Sequence, residues 1–263
     1  MANKPSPQPV VDTRNCLLAA LMPRDFEHLQ SGLERVPLEL GAVLHEPGAQ
    51  IEHVYFPESG LVSMLAVAYG HHAVEVGLTG REGMIGVPLA LGHDSALMGA
   101  FVQSGGTALR LSAARFRREL LNCTTLRQHV YGFAANLLAQ VAQTAACNRF
   151  HVLEQRLARW LLMAQDRLEA EQFRMTHEFL GHMLGVRRVG VTKAAYGLQR
   201  AGLIHYRRGN IFIEDRAGLE RVSCPCYAVV RALSQTGLDT CHLLDMDVAA
   251  PAQADFCAKA HIQ

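Results

Sequence analysis

The stretch from Thr176 to Ile213, THEFLGHMLGVRRVGVTKAAYGLQRAGLIHYRRGNIFI, constrains the chain more than any other. From His177 onward, Leu180, Leu184, Val186 and Val191 recur where two short helices must pack on each other. Gly181 falls where the helices cross and only a small residue lets the backbones approach. Gly185 falls at the turn between them, where one residue with positive φ is needed and glycine adopts it without steric cost. Ala194 departs from the pattern, being smaller than the Val, Leu or Ile usual at that packing position. Beyond the second helix, Gly202 supplies a C-terminal stop. The short runs 203–206 and 211–213 then flank Arg207-Arg208-Gly209-Asn210 as the strands of a hairpin. A helix-turn-helix followed by a hairpin with arginines at its tip predicts a winged helix, with one helix entering the major groove of double-stranded DNA and the tip meeting phosphate or the minor groove.

Charge is distributed to match. Between Arg174 and Asn210 seven basic residues stand against the single acidic Glu178, about +6 on that segment, while the whole chain carries only +1. The remainder is therefore near −5. Affinity for DNA comes largely from neutralising phosphates, so a basic module attached to a mildly acidic one is the asymmetry expected of a DNA reader with a separate second domain. A merely solvated charged face is the plainer alternative.

At 263 residues the chain is long enough for two ordinary domains. No apolar run approaches the ~20 residues needed to span a bilayer. The N-terminus, MANKPSPQPVVDTRN, lacks the apolar segment of a secretion signal, which places the protein in the cytoplasm and away from membranes. Seven scattered cysteines, Cys16, Cys123, Cys147, Cys224, Cys226, Cys241 and Cys257, do not form a disulfide framework and are expected to be reduced.

Residues 1–14 are expected to be a flexible tail, and 15–36 short helices interrupted at Pro23. From Leu38 to Leu111 the period shortens. Segments 51–56, 61–67 and 73–78 are rich in β-branched residues and punctuated by glycine, which predicts an N-terminal β jelly roll spanning 15–122, with a short helix at Gly86–Leu91. Over 123–150 an a/d seam runs through Leu126, Val130, Phe133, Leu137, Gln140, Thr144 and Cys147. It predicts one long helix that pairs in parallel with a second copy, although packing on its own β domain would also use such a seam. A second helix begins at Val152 and leads into the winged helix, taken as 151–222. Residues 223–263 start as an apolar helix and fade into Ala, Pro, Asp and Gln, where disorder is expected.

In this order the pieces resemble the Crp/Fnr superfamily of bacterial transcription regulators over about residues 15–222. The most specific matches are Val54-Tyr55-Phe56-Pro57 with Ser59-Gly60-Leu61-Val62-Ser63, Gly80-Arg81-Glu82-Gly83-Met84-Ile85-Gly86, and Leu184-Gly185-Val186-Arg187-Arg188 through Gly202-Leu203-Ile204 to Arg208-Gly209. The resemblance implies an α+β chain, with a jelly-roll (double-stranded β-helix) sensor, a dimerisation helix and a C-terminal winged helix. It further implies a homodimer acting on double-stranded DNA and RNA polymerase, and no enzymatic activity. It assigns base and backbone contact to Arg187, Arg188, Val189, Thr192 and Lys193, with Arg207 and Arg208 on the wing. Arg188 matches the arginine that meets guanine in many relatives, where a bidentate contact is worth roughly 1–3 kcal/mol of discrimination. The neighbouring glutamate of those relatives is replaced by Val189, which offers only apolar contact, such as to a thymine methyl.

Cofactor signatures of the resemblance are missing. Where cyclic-AMP-binding relatives carry Gly-Glu and a downstream arginine, this chain has Gly86-Val87-Pro88-Leu89-Ala90-Leu91 and Asp94-Ser95-Ala96-Leu97-Met98, and Pro88 has no N–H to donate. The N-terminal cysteine set of the oxygen-sensing branch is reduced to Cys16. Both observations argue against a cyclic nucleotide and an iron–sulfur cluster and leave the effector unassigned.

Jelly rolls also include metal-dependent enzymes. A small-molecule binder or enzyme whose C-terminal unit contacts proteins is accordingly the competing reading. His45, His53, His71, His72 and His93 show no ligand spacing, and Cys224-Pro225-Cys226 lacks the two further ligands of a structural zinc site, so no metal site is predicted.

Overall fold

The computed structural model describes residues 12–67, 73–168, 170, 172–207 and 209–239. Residues 1–11 of the flexible tail expected over 1–14, residues 240–263 of the disorder expected from Gly237 onward, and the expected roles of His71, His72 and Arg208 lie outside these described residues.

Helices α1 (Cys16–Ala19) and α2 (Pro23–Gln30) open the chain. Asn15 rivets them to the β domain: its side chain accepts from Leu18 N–H and donates to the carbonyls of Pro57 (2.9 Å) and Gly83 (2.8 Å). Helix was expected to continue to Val36, but strand β1 (Glu34–Leu38) already begins at Glu34. The Ser31-Gly32 turn stops α2. Pairing then wins over helical spacing, because β1 gains a full antiparallel register against β7 (Gly106–Ser112) and an ion pair from Arg110 to Glu34 at 2.6 Å. Pro37 is tolerated because β1 lies at the sheet edge.

Strands β2 (Val43–His45), β3 (His53–Pro57), β4 (Leu61–Val67), β5 (Ala73–Thr79) and β6 (Gly99–Ser104) complete two antiparallel sheets, ordered β1-β7-β3 and β2-β6-β4-β5. Among the described residues the sheets do not close into a barrel. Leu38, Val54, Phe56, Val62, Met64, Ile85, Val102, Leu109 and Leu111 fill the core with α3 (Val87–Ala90) and with Phe116 of α4 (Ala113–Asn122).

Helix α5 (Thr124–Phe150) runs along this sandwich. The face Leu126, Val130, Phe133, Leu137, Gln140, Thr144 and Cys147 is buried within the one chain, against α1, α3, α4, β5 and the C-terminal helix α10 (Cys226–Asp239). This corrects the expectation that it pairs two copies. Gln140, the polar break in the seam, shows the reason: its Oε1 accepts from Leu78 N–H (2.7 Å) and its Nε2 donates to the Leu78 carbonyl (3.2 Å). It thereby satisfies a peptide of the edge strand β5, which has no strand neighbour on that side. Phe133 lies so close to Gly83 that no side chain fits there.

Helix α6 (Leu153–Leu168) joins the two halves. Its Leu157, Leu161 and Ala164 belong to the C-terminal core, which extends to Leu61 and Leu78 of the sandwich. A buried polar network crosses the same junction. Trp160 Nε1 donates to Glu75 Oε1 (2.7 Å), and Ser63 Oγ lies 2.7 Å from Glu75 Oε2 and also against Gln103 Oε1. Gln103 Nε2 reaches Met175 Sδ at 3.6 Å. Burial pushes the Glu75 carboxyl up to about 7, against the lowering pull of Ser63, Trp160, Arg159 and Arg167. Protonated, Glu75 donates to Ser63, freeing the Ser63 proton for Gln103, so every member is satisfied.

The folded protein therefore favours neutral Glu75. Its contribution is full below the ordinary value of 4.5 and is lost as pH rises toward about 7. Glu75→Gln, which mimics the neutral acid, is expected to flatten the stability decline between pH 5 and 7 in denaturant titrations. At pH 7.5 it should add on the order of 2 kcal/mol; an unchanged slope would contradict the network. Leu137→Glu should unfold the sandwich by circular dichroism, whereas a folded monomer would restore the seam as a dimer interface.

Candidate nucleic-acid interface

The C-terminal unit is built on α6. Strand β8 (Gln172–Arg174), absent from the sequence expectation, pairs with β10 (Asn210–Ile213), which pairs with β9 (Ile204–Arg207), in the order β8-β10-β9. Buried Phe173 is its anchor. Helix α7 (His177–Leu184) is capped by Thr176, whose hydroxyl accepts from Phe179 N–H at 3.1 Å. Gly185 ends α7 with φ 63° and ψ 37°. A Cβ on Gly181 would stand 2.9 Å from the Val186 carbonyl oxygen, so the helix crossing needs glycine there, as the sequence spacing indicates. Leu180, Leu184, Val191 and Leu198 are buried, and Ala194 with Ala195 lets α8 (Arg188–Arg200) lie close to α6. Arg156 of α6 donates to the Leu184 carbonyl at 2.5 Å, tying the end of α7 down. Leu219 of α9 (Arg216–Val222) closes the same core.

One face of α8 is left to solvent. Arg187, Arg188, Val189, Thr192 and Lys193 are exposed, Val189 at 65%. Arg187, Arg188, Lys193 and Arg200 form no ion pair among the described residues. Arg187 occupies the N-cap without a side-chain bond, and the first turn has no acidic residue; the Gly190 N–H is taken by the Arg187 carbonyl at 2.8 Å, while the positive end of the helix dipole faces outward for an anion. Thr192 is partly committed. Its hydroxyl donates to the Arg188 carbonyl (3.1 Å) and lies 3.1 Å from His177 Nδ1. His177 stacks on Tyr206 with centroids 4.1 Å apart. Burial, and then the Arg188 charge, lowers the pKa of His177, favouring its neutral form.

Two further residues belong to this face. Tyr196, 63% exposed, and Arg200 continue the series 189, 192/193, 196, 200. They lie beyond the first turns on which the sequence expectation rests, and helical spacing is the signal that reaches them. On the wing Arg207 is exposed at the hairpin end, paired in register with Asn210. Gly209 has φ 83°.

The bend between the halves falls at His151. Helix α5 continues through Phe150, and His151 leaves it in extended conformation before α6. Beside this bend Cys224-Pro225-Cys226 meets two further candidate donors, which the sequence spacing does not reveal. Cys224 and Cys226 are buried with Cys147 and accompanied by His151, and the four donor atoms all lie within 4.8 Å of one another. His45, by contrast, hydrogen-bonds through Nε2 with the His53 carbonyl oxygen at 2.9 Å and lies tilted against the Tyr55 ring.

Residues 155–222 match the model of the Crp-like helix-turn-helix domain. No curated protein matches the sequence. Among solved structures, FixK2 from Bradyrhizobium japonicum is 14% identical, with TM-score 0.64, covering 73% of this chain and 98% of its own. CLP, the c-di-GMP-responsive global regulator of Xanthomonas campestris, is 19% identical, with TM-score 0.60 and coverage of 72% and 98%. TTHA1359, a CRP/FNR-family transcriptional regulator from Thermus thermophilus, is 23% identical, with TM-score 0.57 and coverage of 72% and 98%. By its domain match and its fold, the chain carries a Crp-like helix-turn-helix domain over residues 155–222 and shares with these structures a β-sandwich domain joined to it through a long helix.

Proposed function

We propose that the chain works in the cytoplasm as a homodimeric transcription regulator that reads double-stranded DNA with α8. The observation that carries this is the exposed, unpaired basic face Arg187, Arg188, Lys193 and Arg200 on a helix with an open N-terminus, held by a packed helix-turn-helix. Its partners are duplex DNA, a second copy and RNA polymerase. Arg188 reads guanine, Val189 and the aromatic face of Tyr196 add apolar contact, and Arg207 and Arg208 hold the backbone beside the wing. No helix of the described residues is long and apolar enough to cross a membrane. The competing reading, a jelly-roll binder or enzyme, is not favoured, because the family match falls on the DNA-binding unit.

The dimer uses the side of α5 that the sandwich leaves free. Gln128, Tyr131, Ala135, Leu138, Ala142 and Ala145 are exposed in alternating steps of three and four, an a/d series on the face opposite the buried seam. Leu138 is 70% exposed and Tyr131 46%. The alanines allow two helices to approach closely, and a parallel pair would present the two α8 helices to successive major grooves ~34 Å apart. Control acts through the bend after Phe150 and the Glu75–Trp160 contact, both of which set the angle of the DNA-binding unit.

Replacing Arg188 and Lys193 together with alanine should lower specific duplex affinity by at least about fivefold, taking the smallest bidentate contribution of ~1 kcal/mol. It should also reduce the slope of log affinity on log salt by about 0.9 for each phosphate no longer neutralised. Circular dichroism and sedimentation should not change; sequence-specific binding retained by this variant would sink the assignment. Leu138→Glu is expected to give folded monomers in sedimentation velocity, and an intact dimer would place the interface elsewhere.

A further inference from the structure

We infer that Cys147, His151, Cys224 and Cys226 form a tetrahedral site for a single thiophilic divalent cation of the zinc class, placed at the bend between the two halves. Three elements bring the donors together. Cys147 and His151 are four residues apart, on one face at the end of α5. Cys224 follows α9, and Cys226 is the first residue of α10. Cys147 Sγ lies 3.4 Å from Cys224 Sγ, and Cys226 Sγ lies 3.4 Å from His151 Nδ1. Metal–sulfur bonds of about 2.3 Å and metal–nitrogen bonds of about 2.0 Å span a tetrahedron with edges of roughly 3.5–3.8 Å. Donors confined within 4.8 Å of one another therefore fit one ion. An iron–sulfur core would hold its ligands further apart around several irons and sulfides.

The surroundings suit such a centre. All three cysteines are buried away from water. Gln143 Nε2 donates to Cys226 Sγ at 2.9 Å, the kind of outer contact that orients a thiolate ligand. Arg159 is only 6% exposed, and its Nε and Nη1 have no hydrogen-bond partner among the described residues; Arg156 Nε is in the same condition. Arg159 acts electrostatically on Cys147, and Arg156 on both Cys147 and Cys224. Three thiolates, a neutral imidazole and a divalent ion together carry one negative charge, which would compensate buried guanidinium where no carboxylate pairs with it.

The ligands come from both sides of the bend. Cys147 belongs to the helix that packs on the sandwich, His151 is the bend residue, and Cys224 and Cys226 follow the winged helix. A bound ion would join the start of α10 to the end of α5 and hold the His151–Val152 bend in one geometry. This inference does not depend on what DNA the protein reads.

The test is metal content of the full-length protein, purified under reducing conditions from zinc-supplemented cells. About one zinc per chain is expected by inductively coupled plasma mass spectrometry, reduced to background in Cys224→Ser/Cys226→Ser and unchanged in the control Cys16→Ser/Cys123→Ser. Cobalt substitution should give the visible bands of tetrahedral thiolate-bound Co(II). Because unfolding of the double variant would also empty the site, His151→Cys supplies a second arm: stoichiometry should be kept while the charge-transfer absorption grows with the added thiolate. Metal-free protein whose four ligand positions are free thiols and free imidazole overturns the proposal. So does metal-free protein that is about two mass units lighter, carrying a Cys147–Cys224 disulfide. A His151→Cys cobalt spectrum identical to the parent's overturns the ligand set.

Discussion

The packing of α5 along the β-sandwich is the contact on which the remaining architecture depends. The four-three seam of this helix fills the space beside the edge strand β5, and Gln140 satisfies the Leu78 peptide that no neighbouring strand reaches. An edge peptide buried without such a partner would cost several kcal/mol. Once this face is spent inside the chain, the opposite stripe through Leu138 is what remains exposed. The end of α5 then decides where the chain bends. The position of the helix-turn-helix relative to the sandwich follows from a packing decision made along the preceding ~40 Å of helix, with Gln140 about 15 Å before its end.

The second half is joined to the first through mixed chemistry. Apolar contact from Leu61 and Leu78 into the α6 core supplies area, while Glu75, Ser63, Gln103 and Trp160 supply direction. Such a network specifies one arrangement only when every member has its partner, and here that condition is met with Glu75 neutral. A junction of this kind couples the footing of the helix-turn-helix unit to single protons and side chains of the sandwich, without direct contact to α8.

The recognition face and the cysteine cluster show opposite relations between sequence and space. Residues of α8 that touch DNA in the proposed reading lie within thirteen consecutive positions, so helical period alone places Arg188, Lys193, Tyr196 and Arg200 together. The ligand set does not have this property. Cys147 and Cys224 are 77 positions apart, and no spacing rule connects them. Cys224-Pro225-Cys226 on its own is half a site, and its complement is supplied only when α10 returns to α5.

What the sequence by itself determined is everything set by local period and local backbone chemistry. That includes the helix-turn-helix with its Gly181 crossing and Gly185 turn, the wing with Arg207, the run of short strands, the long helix, and the order of these pieces. Tertiary structure alone decided which face of α5 turns inward, that Glu34–Leu38 becomes a strand rather than helix, that β8 joins the wing, and that four distant donors meet at the bend. The physical reason is that an a/d seam states only that one face must be covered. Whether a second copy or the chain's own sheet covers it depends on which apolar surface is already within reach at no added cost of association, and that is a property of the folded chain.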